Sequence, residues 1–309
     1  MTSQKQKNKK MPRPFEGEPS LSEKLHFERI AQEISQMPWQ ISGHSPTASD
    51  QAPLIGTLRE KRLHAIVKRY LSEDVATHEI PMNTLFQQED DPRKSRKIVA
   101  DVLVDNHIYE VQTGGFYPLI PKLSWYLEHT DYQITVVHPM AGIKYLSWID
   151  PANGQVVSRN KRNKRGQVKD IAGELYWLIK FISNPRFSLR LLLLEIEEFR
   201  ILDGYGKEKK NRATHYERFP TALLGDVRLY EAEDYAFYFL PESLRHAPFT
   251  AADYAKATGI RGKASYSLLH LMTGLGLLEE GEKIGRSMSF SASALVASCP
   301  SRQSQPSIG

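Results

Sequence analysis

Two runs rich in β-branched and aromatic residues, 97–104 and 107–113, are separated only by Asp105-Asn106, and nothing constrains the fold of this 309-residue chain more tightly. So short a connection makes the runs antiparallel neighbours, and Asp and Asn tolerate the left-handed backbone of tight hairpin turns. With those two residues as the turn, Val104 faces His107, Leu103 faces Ile108, Val102 faces Tyr109 and Asp101 faces Glu110. The alternation of side chains predicts Gln112 on the face of Glu110, with Tyr109 and Val111 on the other. Opposed carboxylates repel unless something cationic lies between them. A divalent ion with oxygen ligands, Mg²⁺ or Mn²⁺, is the economical partner; an ion pair of Asp101 with Arg96 or Lys122 is the alternative.

Around the hairpin, the pattern alternates between helix and strand. Thr57 and Glu60 match a helix capping box, and the helix they open runs to Leu71 with Leu63, Ile66, Val67 and Tyr70 as its buried stripe. The cap alone accounts for Glu60, although packing of this helix on the hairpin would bring a third carboxylate. A helix at 121–129, a strand at 132–137, a hairpin of 145–149 with 155–158, a helix at 170–181 and a strand at 188–199 then define an α/β domain over 54–205. Gly114 and Gly115 would either let a phosphate approach main-chain N–H groups or make a plain strand-to-helix turn.

The flanks read differently. Residues 1–53, rich in Ser, Gln, Pro and Lys with one helical stretch at 21–37, are expected to be a largely disordered basic arm, and 297–309 a disordered tail. Residues 206–240 are expected to connect. Beyond them, a helix at 250–258, a turn at 259–262, a helix at 264–273 and a strand pair over 277–290 give the order of a winged helix-turn-helix spanning 241–296.

Composition narrows the function classes. The single cysteine, Cys299, excludes an internal disulfide framework and a multi-cysteine zinc site. No run approaches the ~20 apolar residues of a membrane span and the N-terminus lacks a signal-like apolar stretch, so the expected place is the cytoplasm. The 41 Lys and Arg against 36 Asp and Glu, net +5, permit a polyanionic partner. The distribution favours one: 157–169 carries Arg159, Lys161, Arg162, Lys164 and Arg165 without an acid, as a backbone-binding clamp would. Arg261, Lys263 and Tyr266, with Ser265 and Ser267, gather at the start of the second helix, and Lys283 and Arg286 lie in or beside the wing, as for a DNA-binding surface.

Ile98-Val99-Ala100-Asp101 followed by Glu110-Val111-Gln112 resembles the PD-(D/E)XK nuclease superfamily, and the run from Glu110 to Gly114 resembles one in prokaryotic nuclease-like proteins. The resemblance implies a restriction-endonuclease-like mixed sheet flanked by helices. It also implies that Asp101 and Glu110 bind Mg²⁺ or Mn²⁺, with the Val111 carbonyl as a further ligand and Glu60 contributing directly or through water. Ala100 stands where the family name has proline. Gln112 stands where lysine is usual, so Lys122 on the next helix becomes the auxiliary cation. The expected activity is metal-dependent cleavage of DNA, with RNA open as a substrate and a homodimer convenient for cutting both strands. The rival is a nuclease-like DNA-binding protein in which Gln112, lacking charge, has ended turnover.

Overall fold

A computed structural model describes residues 17–36, 62–82, 98–205 and 212–297. Seven strands form one mixed sheet: β1 (His78–Pro81), β2 (Val99–Val104), β3 (His107–Val111), β4 (Gln133–Ile149), β5 (Val156–Lys161), β6 (Phe187–Ile201) and β7 (Thr214–Leu229). Their order is β1-β2-β3-β4-β6-β7, with β5 also paired to β4. The predicted hairpin is β2–β3, with Asp105 at φ 50° in its turn. β3, β4 and β6 run parallel, which requires crossovers over the sheet.

The central strand explains the layers. In β6, Leu189, Leu191 and Leu193 enter one core while Leu192, Leu194 and Ile196 enter another, so both faces are buried and its centre, Leu191 to Leu194, reads as a continuous apolar run. The second core is closed by α1 (Leu21–Ser35) and α2 (Arg62–Leu71), through Phe27, Ile30 and Ile34 on one and the predicted Leu63, Ile66, Val67 and Tyr70 on the other. The first core is closed by α3 (Ile120–His129), by short 3₁₀ turns at Val168–Ile171 and Leu175–Leu178, and by the C-terminal helices. The sheet is thus covered by helices on both faces.

Several expectations change. Residues 17–36 hold the docked helix α1 and its anchored lead-in rather than a disordered arm: Gly17, at φ +60°, accepts from the Asp226 N–H at 2.7 Å, and a Cβ there would lie 2.3 Å from the Asp226 carbonyl oxygen. Nearly half of the expected connector, from Thr214 to Leu229, is β7, a polar-alternating edge strand whose period-2 pattern is diluted by charge. The two strands expected at 132–137 and 145–149 are one, β4, with an irregularity between Ala141 and Ile143. Pro139 and that irregularity fall between the stretches paired to β3 and β5, where a missing N–H and an extra residue are tolerated. The expected helix at 170–181 is broken into 3₁₀ turns and one α-turn at Ile179–Ile182, with Gly173 at the break.

The C-terminal unit contains α4 (Ala232–Phe239), β8 (Phe249–Thr250), α5 (Ala251–Thr258), α6 (Lys263–Gly274), β9 (Leu278–Ile284) and β10 (Ser287–Ala292), with a small sheet ordered β8-β10-β9. Thr250 and Asp253 form a capping box on α5, and Gly259 at φ +75° ends it. Tyr254, Leu268, Leu269 and Met272 share the first core with Leu189 and Leu193, so apolar packing is continuous from the large sheet into this unit. Among the described residues no helix is long and apolar enough to cross a membrane.

Candidate functional site

The expected acids meet where β2 and β3 part. The ladder pairs Val104 with His107, Leu103 with Ile108 and Val102 with Tyr109, and stops there. Beyond it the Asp101 carboxylate accepts from the Val111 N–H at 2.8 Å, while the Asp101 N–H approaches Glu110 Oε1 at 3.4 Å. The acids are therefore adjacent through main chain, and their side chains lean to opposite layers. Asp101 meets His64 Nε2 of α2 at 3.3 Å. Glu110, 1% exposed, is held from α3 by Lys122 Nζ at 2.5 Å and the Tyr126 hydroxyl at 2.8 Å.

These surroundings separate the two carboxyls. Burial pushes Glu110 up to about 7, the neighbouring Asp101 charge adds to this, and Lys122 and Tyr126 oppose it only in part. For Asp101 burial also favours the neutral form, but the His64 bond, the Lys122 charge and the Val111 N–H prevail and leave it below the usual carboxylate range. Glu110 thus tends to keep a proton near neutrality while Asp101 is ionised. Burial likewise raises the Tyr126 hydroxyl, assisted by Glu110, so that it stays a donor.

Gln112 lies just past the end of β3. Its side-chain amide nitrogen donates to the Gly115 carbonyl at 2.5 Å, and its main-chain carbonyl meets His138 Nδ1 at 2.5 Å. It braces the turn after β3. Across that turn Glu174 accepts from the Phe116 N–H at 2.9 Å, and its carboxylate would lie 3.1 Å from a Cβ on Gly115. A carboxylate facing the glycines disfavours a phosphate there, so the strand-to-helix turn is the better account. Lys122 instead brings the cation to Glu110. Neither His64 nor Tyr126 stands out in the sequence as a site residue. For Tyr126 a signal exists, since it lies four residues after Lys122 and shares its helix face.

Glu60 lies outside the described residues, among which no group of three or more His, Cys, Asp or Glu side chains is arranged to hold a metal. The donors present are the oxygens of Asp101 and Glu110 and the main-chain carbonyl of Val111, a set whose chemistry suits a hard divalent ion.

A sequence profile of a domain of unknown function, DUF8091, matches residues 61–230. The chain belongs to this family. The DUF8091 match takes in α2, the hairpin and all of β7, and hence every side chain of the site described above. No curated protein and no solved structure is significantly similar to the chain.

The expected nucleic-acid residues lie on two surfaces. Arg159 and Lys161 are on the exposed edge strand β5 rather than in a loop, and Arg162, Lys164 and Arg165 follow it. The lack of acids in the sequence is offset in space: Arg159 pairs with Glu197 of β6 at 3.1 Å and lies over the Tyr145 ring at 3.8 Å, and Lys164 meets Asp170 at 3.2 Å. On the C-terminal unit, Arg261, Lys263, Tyr266, Lys283 and Arg286 are exposed, whereas Ser265 and Ser267 face the core.

Proposed function

We propose that the DUF8091 domain of this chain is a metal-dependent deoxyribonuclease of the PD-(D/E)XK type, acting in the cytoplasm, with its C-terminal unit a winged helix that engages DNA. The observation that carries this reading is the contact of two acids from adjacent strands, one buried and pushed up to about 7, with a lysine delivered by the next helix. Mg²⁺ or Mn²⁺ would be held by Asp101, Glu110 and the Val111 carbonyl, with Glu60 as a candidate fourth donor. Bound there, the ion would activate water and neutralise charge on the phosphodiester.

The chain's own residues divide the remaining tasks. Asp101, ionised and oriented by His64 and the Val111 N–H, presents a fixed carboxylate. Tyr126 fixes Oε1 of Glu110, and Lys122 is the cation available to a developing oxyanion once Glu110 is otherwise engaged. Gln112 keeps the following turn in place. The helix order, the Thr250 cap and the β8-β10-β9 sheet support the winged-helix reading. The same Lys122–Glu110 contact favours one second reading, a nuclease-like protein in which the lysine permanently occupies the cation position and only binding survives.

Incubation of the purified chain with linear, circular and branched DNA in Mg²⁺ or Mn²⁺, beside a chelator control and Asp101→Ala, separates the two. Metal-dependent cutting that the variant lacks supports the nuclease. DNA binding without cutting on any substrate supports the second reading.

A further inference from the structure

Beside the candidate site lies an aromatic surface for which the proposed chemistry has no use. Tyr117 begins the 3₁₀ turn that follows the Gly114–Gly115 segment, and Tyr176 and Trp177 lie in the turn Leu175–Leu178. The Tyr117 and Trp177 rings meet edge to face at 4.8 Å, and Tyr176 and Trp177 at 5.1 Å. Lys263, the first residue of α6, places its ammonium 4.9 Å from the centre of the Tyr176 ring and 6.0 Å from that of Trp177. The Phe116–Glu174 hydrogen bond ties the Tyr117 turn to the turn carrying the other two rings.

Cohesion between the sheet domain and the C-terminal unit accounts for Lys263 and Trp177. It leaves two rings unexplained, because Tyr117 and Tyr176 keep 63% and 43% of their surface exposed. Lys263 makes no ion pair among the described residues, and the exposed Arg261 precedes it. Exposed rings with an unneutralised cation lying over one of them suit an unpaired base and its phosphate, since every base can stack and each phosphate needs a positive charge nearby. The rings are already packed against one another, so little ordering is lost on binding. A duplex offers no such base face to a fixed surface.

We infer that Tyr117, Tyr176, Trp177 and Lys263 form a stacking platform for single-stranded nucleic acid. The inference builds on the nuclease reading and specifies its substrate as nucleic acid with an unpaired stretch. The platform itself needs no metal.

The test uses the full chain in chelator, so that cleavage does not interfere, with fluorescein-labelled oligothymidylate, oligouridylate and a duplex as probes. In anisotropy titrations, Tyr117→Leu combined with Tyr176→Leu weakens binding of at least one single strand by about tenfold or more. The corresponding Phe variants stay within about twofold of wild type, as does duplex binding by the Leu variant, since only the π-face has been removed. Saturation with the single strand quenches tryptophan emission, and Trp177→Phe abolishes that quenching. Matching thermal unfolding curves establish that the variants are folded.

Unchanged single-strand affinity in the Leu variant, equal loss on single strand and duplex, or no single-strand binding by wild type overturns the platform. Asp101→Ala keeps the two hypotheses apart. If wild type and Asp101→Ala both fail to cleave while the platform variants still lose binding, the nuclease reading falls and the platform stands. If Asp101→Ala abolishes cleavage while the platform variants bind normally, only the platform falls.

Discussion

Two carboxylate pairs lie on the same sheet and meet opposite fates. Glu197 and Glu198 of β6 are surrounded by cations: Arg159 on the first, Lys144 and Arg200 on the second. Burial favours the neutral form of Glu198, yet its two cations hold it below the usual range. Asp101 and Glu110 share Lys122 and His64, and there burial with mutual repulsion wins at Glu110. The first pair is an electrostatic bolt with at least one cation on each carboxylate. The second is balanced only while Glu110 keeps its proton: ionising it would set two negative charges in a dry place against Lys122 and His64, an arrangement that costs stability.

That contrast is broken most directly by mutation. Asp101→Ala and Glu110→Ala should each lower metal-dependent cleavage by about a thousandfold or more, whereas Glu197→Gln and Glu198→Gln should leave it within about threefold. Equal losses across all four, measured as initial rates on one DNA substrate, would remove the distinction.

Lys122→Met should cost about a hundredfold in rate while tightening Mn²⁺ binding by calorimetry, because the ammonium that competes for Glu110 has gone. A parallel fall in both quantities would make Lys122 a support for the fold instead. At Gln112 the effects should be smaller: Gln112→Lys retains or raises the rate, and Gln112→Ala slows it several-fold as the brace to Gly115 is removed.

The Glu110 shift has a signature in stability. Its folded pKa lies above the unfolded one, so its contribution is full below about pH 4.5 and disappears as pH rises through about 7. Glu110→Gln should therefore gain several degrees in Tm relative to metal-free wild type between pH 5 and pH 8, and saturating Mg²⁺ should reverse the gain. Glu198→Gln should lack this trend, since a depressed pKa has the opposite sign. Mn²⁺ affinity of wild type should rise up to about pH 7 and then level off, as the ion displaces the Glu110 proton.

The smallest effect concerns the basic strand. Neutralising Arg159, Lys161, Arg162, Lys164 and Arg165 should flatten the salt dependence of DNA binding by about 0.9 for each phosphate that no longer meets a cation, with sequence preference unchanged. With Arg159 and Lys164 already paired to acids, the change should fall short of five full phosphates. An unaltered slope in a salt titration would leave β5 a solvated edge.

What the sequence revealed depended on how local the signal was. The β2–β3 hairpin, the Thr250 cap and the glycine stop at Gly259 are written within a few residues, and the structure has each of them. β7 escaped because its partner on the sheet is β6 and its own alternation is broken by Pro220 and Gly225, with register shifts on either side. The helix at 21–35 was legible but its docking was not, because its apolar stripe has meaning only against a sheet about 160 to 200 residues away in the chain, at Leu192 and Leu223. At the site, Asp101 and Glu110 followed from pairing arithmetic. Their orientation did not, because the ladder ends at Val102 and each side chain is claimed by a different helix.

The anchoring of Gly17 against Asp226 bears on how this protein can be handled as a piece. A fragment cut to the family boundaries, 61–230, would lack Phe27, Ile30 and Ile34 on one face of its sheet and Tyr254, Leu268 and Met272 on the other. Both faces would then present apolar surface to water, and such a fragment would associate with itself before its chemistry could be assayed. The smallest piece worth expressing begins ahead of Gly17 and ends beyond β10.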